Sequence, residues 1–68
     1  MSIIITVNGK QDIIPENTRV SDFLASKKLD PDRIVVEYNL DILDRDSIQT
    51  CTLREHDRLE ILRIVGGG

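Results

Sequence analysis

The stretch "SIIITVNGKQDIIP", residues 2–15, decides how the chain must start to fold. Its first half is a β-branched run that places Ile3, Ile5 and Val7 on one face of a strand. Asn8 and Gly9 follow, a dipeptide that tolerates positive φ at both positions and so reverses the chain in two residues. "KQDII" returns as the second strand, and Pro15 ends it because proline has no N–H to give to a ladder. The segment therefore predicts a β-hairpin.

Working outward, "ENTRVSDFLASKKL" (16–29) carries the signals of a helix. Thr18 is placed to cap its N-terminus, with Asp22 near the positive end of the helix dipole and Lys27 and Lys28 near the negative end. Val20, Phe23 and Leu24 share one face by their spacing, and that face should cover the sheet. "DPD" (30–32) then turns the chain. "RIVVEY" (33–38) reads as a third strand, central in the sheet on account of its unbroken apolar run. "NLDILDRDSIQTCTLREHD" (39–57) mixes Asp-rich turn chemistry at Asp44 and Asp46 with room for a short strand and a single helical turn. "RLEILRIV" (58–65) is the last strand. Its alternation sends Leu59, Ile61 and Val65 to the core and Leu62 and Ile64 to the opposite face. The order of elements predicts an α+β fold, a mixed sheet of four to five strands with one main helix packed across one face.

Size and composition narrow the functions available. Sixty-eight residues make a single domain close to the lower limit for one core, with no room for a cleft between lobes. Only Phe23 and Tyr38 are aromatic, so the core must be aliphatic. Nine basic and twelve acidic residues give a net charge of −3, scattered without a basic strip. With neither a basic footprint nor stacking aromatics, nucleic acid is not an expected partner. No segment approaches the roughly 18 apolar residues that would cross a bilayer, and the N-terminus lacks the pattern of a secretory signal. A cytoplasmic setting is expected.

Side chains suited to catalysis are few. His56 is the lone histidine and sits in a polar turn, "REHD". Cys51 is the lone cysteine: it cannot close an internal disulfide, has too few companions for a metal site, and lacks the base and orienting group of a nucleophile. Both read as structural or solvated residues. The chain is not expected to catalyse anything by itself.

What remains is the end. Three of the four glycines, Gly66, Gly67 and Gly68, are the final residues, directly after the last strand. A frayed end or a linker remnant would look the same. Yet three residues without Cβ can pass a narrow channel, and at roughly 3.3–3.6 Å each they reach about 10 Å past the folded edge. They could hold the C-terminal carboxylate inside another protein's active site while the domain, residues 1–65, stays outside. Residues 66–68 are then a flexible tail, and Leu62 and Ile64 are a candidate docking patch at its base. A carboxylate needs activation before transfer, and adenylation by ATP would provide it.

The residues that suggest this also carry a resemblance. "VNGK", "PENTRVSDFLASKKL", "VVEYN" and "HDRLEILRIVGGG" resemble, over nearly the whole length, the sulfur carriers of thiamine (thiazole) biosynthesis within the ubiquitin-like β-grasp superfamily. The resemblance implies that Gly68 is adenylated by a ubiquitin-activating-type adenylyltransferase using ATP and Mg²⁺, and converted to a thiocarboxylate with sulfur from a persulfide enzyme. Thiazole synthase then takes the sulfur, and the carrier holds no cofactor of its own. The chain departs from the usual pattern at His56 and Leu40, where glycine or another small turn residue is common, and in the extra Gly66. A carrier for molybdopterin synthesis or tRNA thiolation, a protein modifier that joins Gly68 to a lysine, and a binding module with inert glycines are the alternatives.

Overall fold

A computed structural model describes residues 1–64. Strands β1 (Ser2–Val7) and β2 (Lys10–Pro15) form the expected hairpin, in the register Val7 with Lys10 through Ser2 with Pro15. Asn8 and Gly9 turn it at φ 50° and 82°. A Cβ added at Gly9 would meet nothing within 4 Å, so the backbone angle is what calls for glycine there. Helix α1 (Val20–Ser26) follows, then a 3₁₀ turn at Pro31–Arg33, strand β3 (Ile34–Tyr38), a two-residue strand β4 (Asp41–Ile42), helix α2 (Arg45–Thr50) and strand β5 (Arg58–Arg63). The five strands make one mixed sheet in the order β2-β1-β5-β3-β4, with β1 and β5 parallel and the other pairs antiparallel. This is the α+β, ubiquitin-like β-grasp arrangement.

The core is aliphatic as composition requires, with Phe23 its one aromatic. Ile5 and Ile14 from the hairpin, Val36 and Leu59 from inner strands, and Val20, Phe23 and Leu24 from α1 are all buried. Ile48 and Leu53 close the layer from the α2 side. The irregular stretch thus contains both the short strand and the helical turn the sequence allows. Asp44 caps that turn, its carboxylate accepting from the Ser47 N–H at 2.8 Å.

Three expectations need correction. Thr18 does not cap α1, because the chain runs extended for another residue: Arg19 forms a bridge with Thr52, and the Leu53 N–H donates to the Thr18 carbonyl at 2.8 Å. The Thr18 hydroxyl instead donates back to the Pro15 carbonyl at 2.6 Å. The cap position falls on Arg19, whose N–H donates to the Asp22 carboxylate at 3.2 Å. Second, α1 is one turn shorter than the sequence pattern at its C-terminal end, since Lys28 enters the left-handed region at φ 58° and closes it. Third, β3 is interior but not central. Its apolar run is explained by alternation, with Ile34 and Val36 buried in the core and Val35 half-buried on the other face. The centre belongs to β5, the strand that leads into the tail. Val65, expected on the core side of that strand, lies outside the described residues.

Candidate functional site

The geometry at the end of the chain is set by how β5 is held. On one side its register with β3 runs from Tyr38 with Leu59 to Ile34 with Arg63, and the Ile64 N–H extends it by donating to the Arg33 carbonyl at 2.9 Å. On the other side it pairs in parallel with β1. The β1 pairing is prolonged by a side chain. The Asn8 amide accepts from the Ile61 N–H at 2.7 Å and donates to the Ile61 carbonyl at 3.3 Å, standing in for one more residue of ladder.

Asn39 does comparable work at the start of β5. With Leu40 it makes the β3–β4 turn, at φ 47° and 78°, a copy in backbone terms of the Asn8-Gly9 turn. Its side-chain carbonyl accepts from the Arg58 N–H at 2.8 Å, and its amide donates to Asp57 at 3.2 Å. Two asparagines in left-handed backbone therefore brace opposite flanks of the strand. Neither bond could be read from the residue types, although "NG" marked the first of the two turns.

Asp57 is the one buried charged residue among the described residues. Its carboxylate accepts from the Tyr38 hydroxyl at 2.7 Å, the Arg54 N–H at 2.7 Å and the Asn39 amide. Three donors offset the cost of burying it. Burial, then the hydrogen bond to Asp57 and its negative charge, push the Tyr38 phenol well above its ordinary range. The sequence placed Asp57 in a polar turn; in the fold it ties the β3–β4 turn to the loop that opens β5.

The residues that might have catalysed do not form a constellation. Cys51 ends α2, its N–H donating to the Ser47 carbonyl at 2.8 Å, and it packs half-buried against the core. Burial pushes its thiol up, the opposite of what a nucleophile requires. His56 is exposed at φ 70°, its N–H donating to the Ile4 carbonyl at 2.7 Å. Its backbone is left-handed, as is that of Leu40, the conformation that glycine takes at least cost. Among the described residues no group of three or more His, Cys, Asp or Glu side chains is arranged to hold a metal ion. No helix among them is long and apolar enough to cross a membrane.

Leu62 and Ile64 are 55% and 56% exposed at the very end of β5. Leu62 pairs across the strands with Val35 on the sheet face away from α1, so a small aliphatic surface sits where the chain leaves the domain. Gly66, Gly67 and Gly68 lie outside the described residues. The site is thus a rigid base, two exposed aliphatics and a terminus.

The fold and the family match together define the class, a small sulfur carrier of the β-grasp type. The chain belongs to the ThiS family, the sulfur carriers of thiamine biosynthesis, whose profile matches residues 3–68. It is 32% identical over 66 residues to the sulfur carrier protein ThiS of Bacillus subtilis (strain 168), covering 96% of this chain and all of the relative. A thiamine biosynthesis protein (ThiS) from Geobacter metallireducens is similar in its crystal structure, with TM-score 0.83 and 30% identity over 97% of this chain and all of that one. Its solution structure gives a TM-score of 0.79. The chain is also 28% identical over 64 residues to a thiazole synthase of Paramagnetospirillum magneticum, covering 94% of this chain but only 20% of that much longer relative.

Proposed function

We propose that the chain carries sulfur as a thiocarboxylate on Gly68 and donates it to a thiazole synthase. The Gly68 carboxylate attacks the α-phosphorus of ATP in a ubiquitin-activating-type adenylyltransferase, releasing pyrophosphate; the ATP and its Mg²⁺ belong to that enzyme. A persulfide sulfur then displaces AMP from the acyl carbon. A thiol cleaves the resulting acyl disulfide, leaving one sulfur on Gly68 in place of one oxygen and taking the other sulfur into a new disulfide. In thiazole synthase the thiocarboxylate sulfur bonds to a carbon of the substrate, and water then cleaves the acyl–sulfur bond, leaving the sulfur on the substrate and returning Gly68 to a carboxylate. The carrier binds no cofactor and catalyses no step, and we place the cycle in the cytoplasm, where ATP and persulfides are supplied.

The observation that carries this reading is that the family match runs through the glycines to residue 68. Two others support it. Leu62 and Ile64 offer an aliphatic docking surface at the base of the segment to be inserted, with Gly66 and Gly67 as the narrow part that follows. A segment similar to this chain also lies within a longer thiazole synthase, which fits the two working together.

The test is the intact mass of the protein after incubation with extract of its host, ATP and cysteine. A species with one oxygen replaced by sulfur, located at Gly68 by fragmentation, is expected. It should be absent when Gly67 and Gly68 are deleted, while the deleted protein keeps its unfolding transition. Conjugates of higher mass would make the chain a protein modifier instead. An unchanged mass beside a control carrier that is charged would leave the glycines inert.

A further inference from the structure

Two grooves meet at Leu29 and Arg63, the first of them also lined by Ile64. The first, of about 320 Å³, lies between the turn after α1 and the end of β5, with Lys28, Arg33 and Arg63 along its walls and Asp30 among them. The second, of about 500 Å³, lies between α1 and the hairpin, with Lys10, Lys27 and Arg63 along it and Asp12 opposite. Leu29 and Arg63 line both, so they form one continuous trough past the base of the tail.

The trough is far from average in charge. Five cations against two carboxylates leave it at +3, and the remainder of a chain whose net charge is −3 therefore carries −6. Both carboxylates already face a partner: Asp12 lies 3.2 Å from Lys27 Nζ, and Asp30 lies 3.7 Å from Arg33 Nε. Lys10, Lys28 and Arg63 make no ion pair among the described residues, and all three are exposed. The cations are spread along the trough instead of converging on one point, and Phe23 and Leu29 are part of its lining. That layout suits an extended protein surface better than a single small anion.

Position then selects the partner. Gly68 is five residues beyond Arg63, so at roughly 3.3–3.6 Å per residue a protein that holds the terminal carboxylate presents its surface within about 17 Å of Arg63. We propose that the trough docks on an acidic surface at the mouth of the adenylyltransferase site that receives the tail. This rests on the carrier reading above. The patch steers the encounter and sets the orientation in which β5 points its terminus into the mouth, while the −6 of the remaining surface disfavours wrong approaches.

The experiment measures carrier-dependent pyrophosphate release by the adenylyltransferase of the same host, with the wild type and three variants of the full chain. Lys10→Glu/Lys28→Glu/Arg63→Glu should lower kcat/KM at least about tenfold at low ionic strength and leave kcat at saturating carrier unchanged. The difference should shrink at about 1 M salt, where the screening length is only ~3 Å. A Gln triple at the same positions should fall between, and thermal unfolding confirms that each variant is folded. Arg19→Glu/Arg45→Glu/Arg54→Glu changes the net charge equally but away from the trough, and should stay within about twofold of the wild type. If both Glu triples lose activity equally, or the trough triple loses none while the wild type is charged normally, the trough is not the docking surface. A wild type that supports no pyrophosphate release and acquires no sulfur overturns the carrier reading, and this surface with it.

Discussion

The side chain of Asn8 is hydrogen-bonded to both backbone groups of Ile61, accepting from its N–H at 2.7 Å and donating to its carbonyl at 3.3 Å. A turn residue of the first hairpin thereby holds the last strand, 53 residues later in the chain, three residues before the last one described. Asn8→Gly separates the two roles of the residue, since glycine keeps the positive φ and removes the brace, while relief of left-handed strain and glycine's greater freedom in the unfolded chain act in opposite directions. The variant should be less stable by about 1–2 kcal/mol, the value of two partly exposed hydrogen bonds. Urea unfolding checks this, and equal stability would mean that the brace adds nothing to the ladder.

Leu40 and His56 occupy left-handed backbone, at φ 78° and 70°, with their side chains in solvent. For a residue with a Cβ that region costs roughly 1–2 kcal/mol, and the extra freedom of glycine in the unfolded chain takes back part of the relief. Leu40→Gly and His56→Gly should each stabilise the domain by up to about 1 kcal/mol. Leu40→Gly would make the second turn a copy of Asn8-Gly9. A fall in the urea midpoint for either variant would show that the side chain contributes something its exposure does not reveal.

The Tyr38 phenol is raised by burial and by Asp57, and the sign of its effect on stability follows. Folding holds the proton on the phenol, so the contribution is complete below the unfolded value near 10 and is lost as pH rises above it. Stability should therefore decline between pH 10 and the onset of general alkaline unfolding, and Tyr38→Phe should flatten that decline while lowering stability at neutral pH. Denaturant midpoints at neutral pH and above pH 10 read both effects. An alkaline slope unchanged in the variant would assign the decline to other groups.

Leu62 and Ile64 can be changed without opening the core, because more than half of each faces solvent. Leu62→Ser/Ile64→Ser should leave the thermal unfolding midpoint within a few degrees of the wild type, as surface substitutions generally do. The same variant should raise the KM of the adenylyltransferase for the carrier by about tenfold, the loss of one small aliphatic contact patch. An unchanged KM would move the docking surface elsewhere on the domain.

Much of this was legible in the amino-acid order, and what was not shares a physical cause. The hairpin, α1 and β5 announce themselves because their signals are local: a two-residue turn and two apolar periodicities. Asp44 was legible only as turn chemistry, although the bond by which it caps α2, to the Ser47 N–H, is itself local. The misplaced cap at Thr18 was decided by Thr52 and Leu53, which hold residues 18 and 19 extended from more than thirty positions away. β3 looked central because its run of apolar residues is indistinguishable from one buried on both faces; only the pairing order puts β5 between it and β1. The buried Asp57 was hidden for the same reason, since its donors come from residues 38, 39 and 54. The cationic trough was overlooked because its members are dispersed in the sequence and gather only when α1 lies across the sheet.

The place of β5 in the sheet also has a mechanical meaning. A strand at an edge, pulled along its axis, would be held by one ladder alone. β5 is bonded on both flanks, to β1 in parallel and to β3 antiparallel, with Asn8 and Ile64 fastening the exit. Tension along its axis loads both ladders together in shear, so they must yield at once. In the carrier cycle proposed above, a terminus drawn into a partner would pull against an anchor bonded on both flanks.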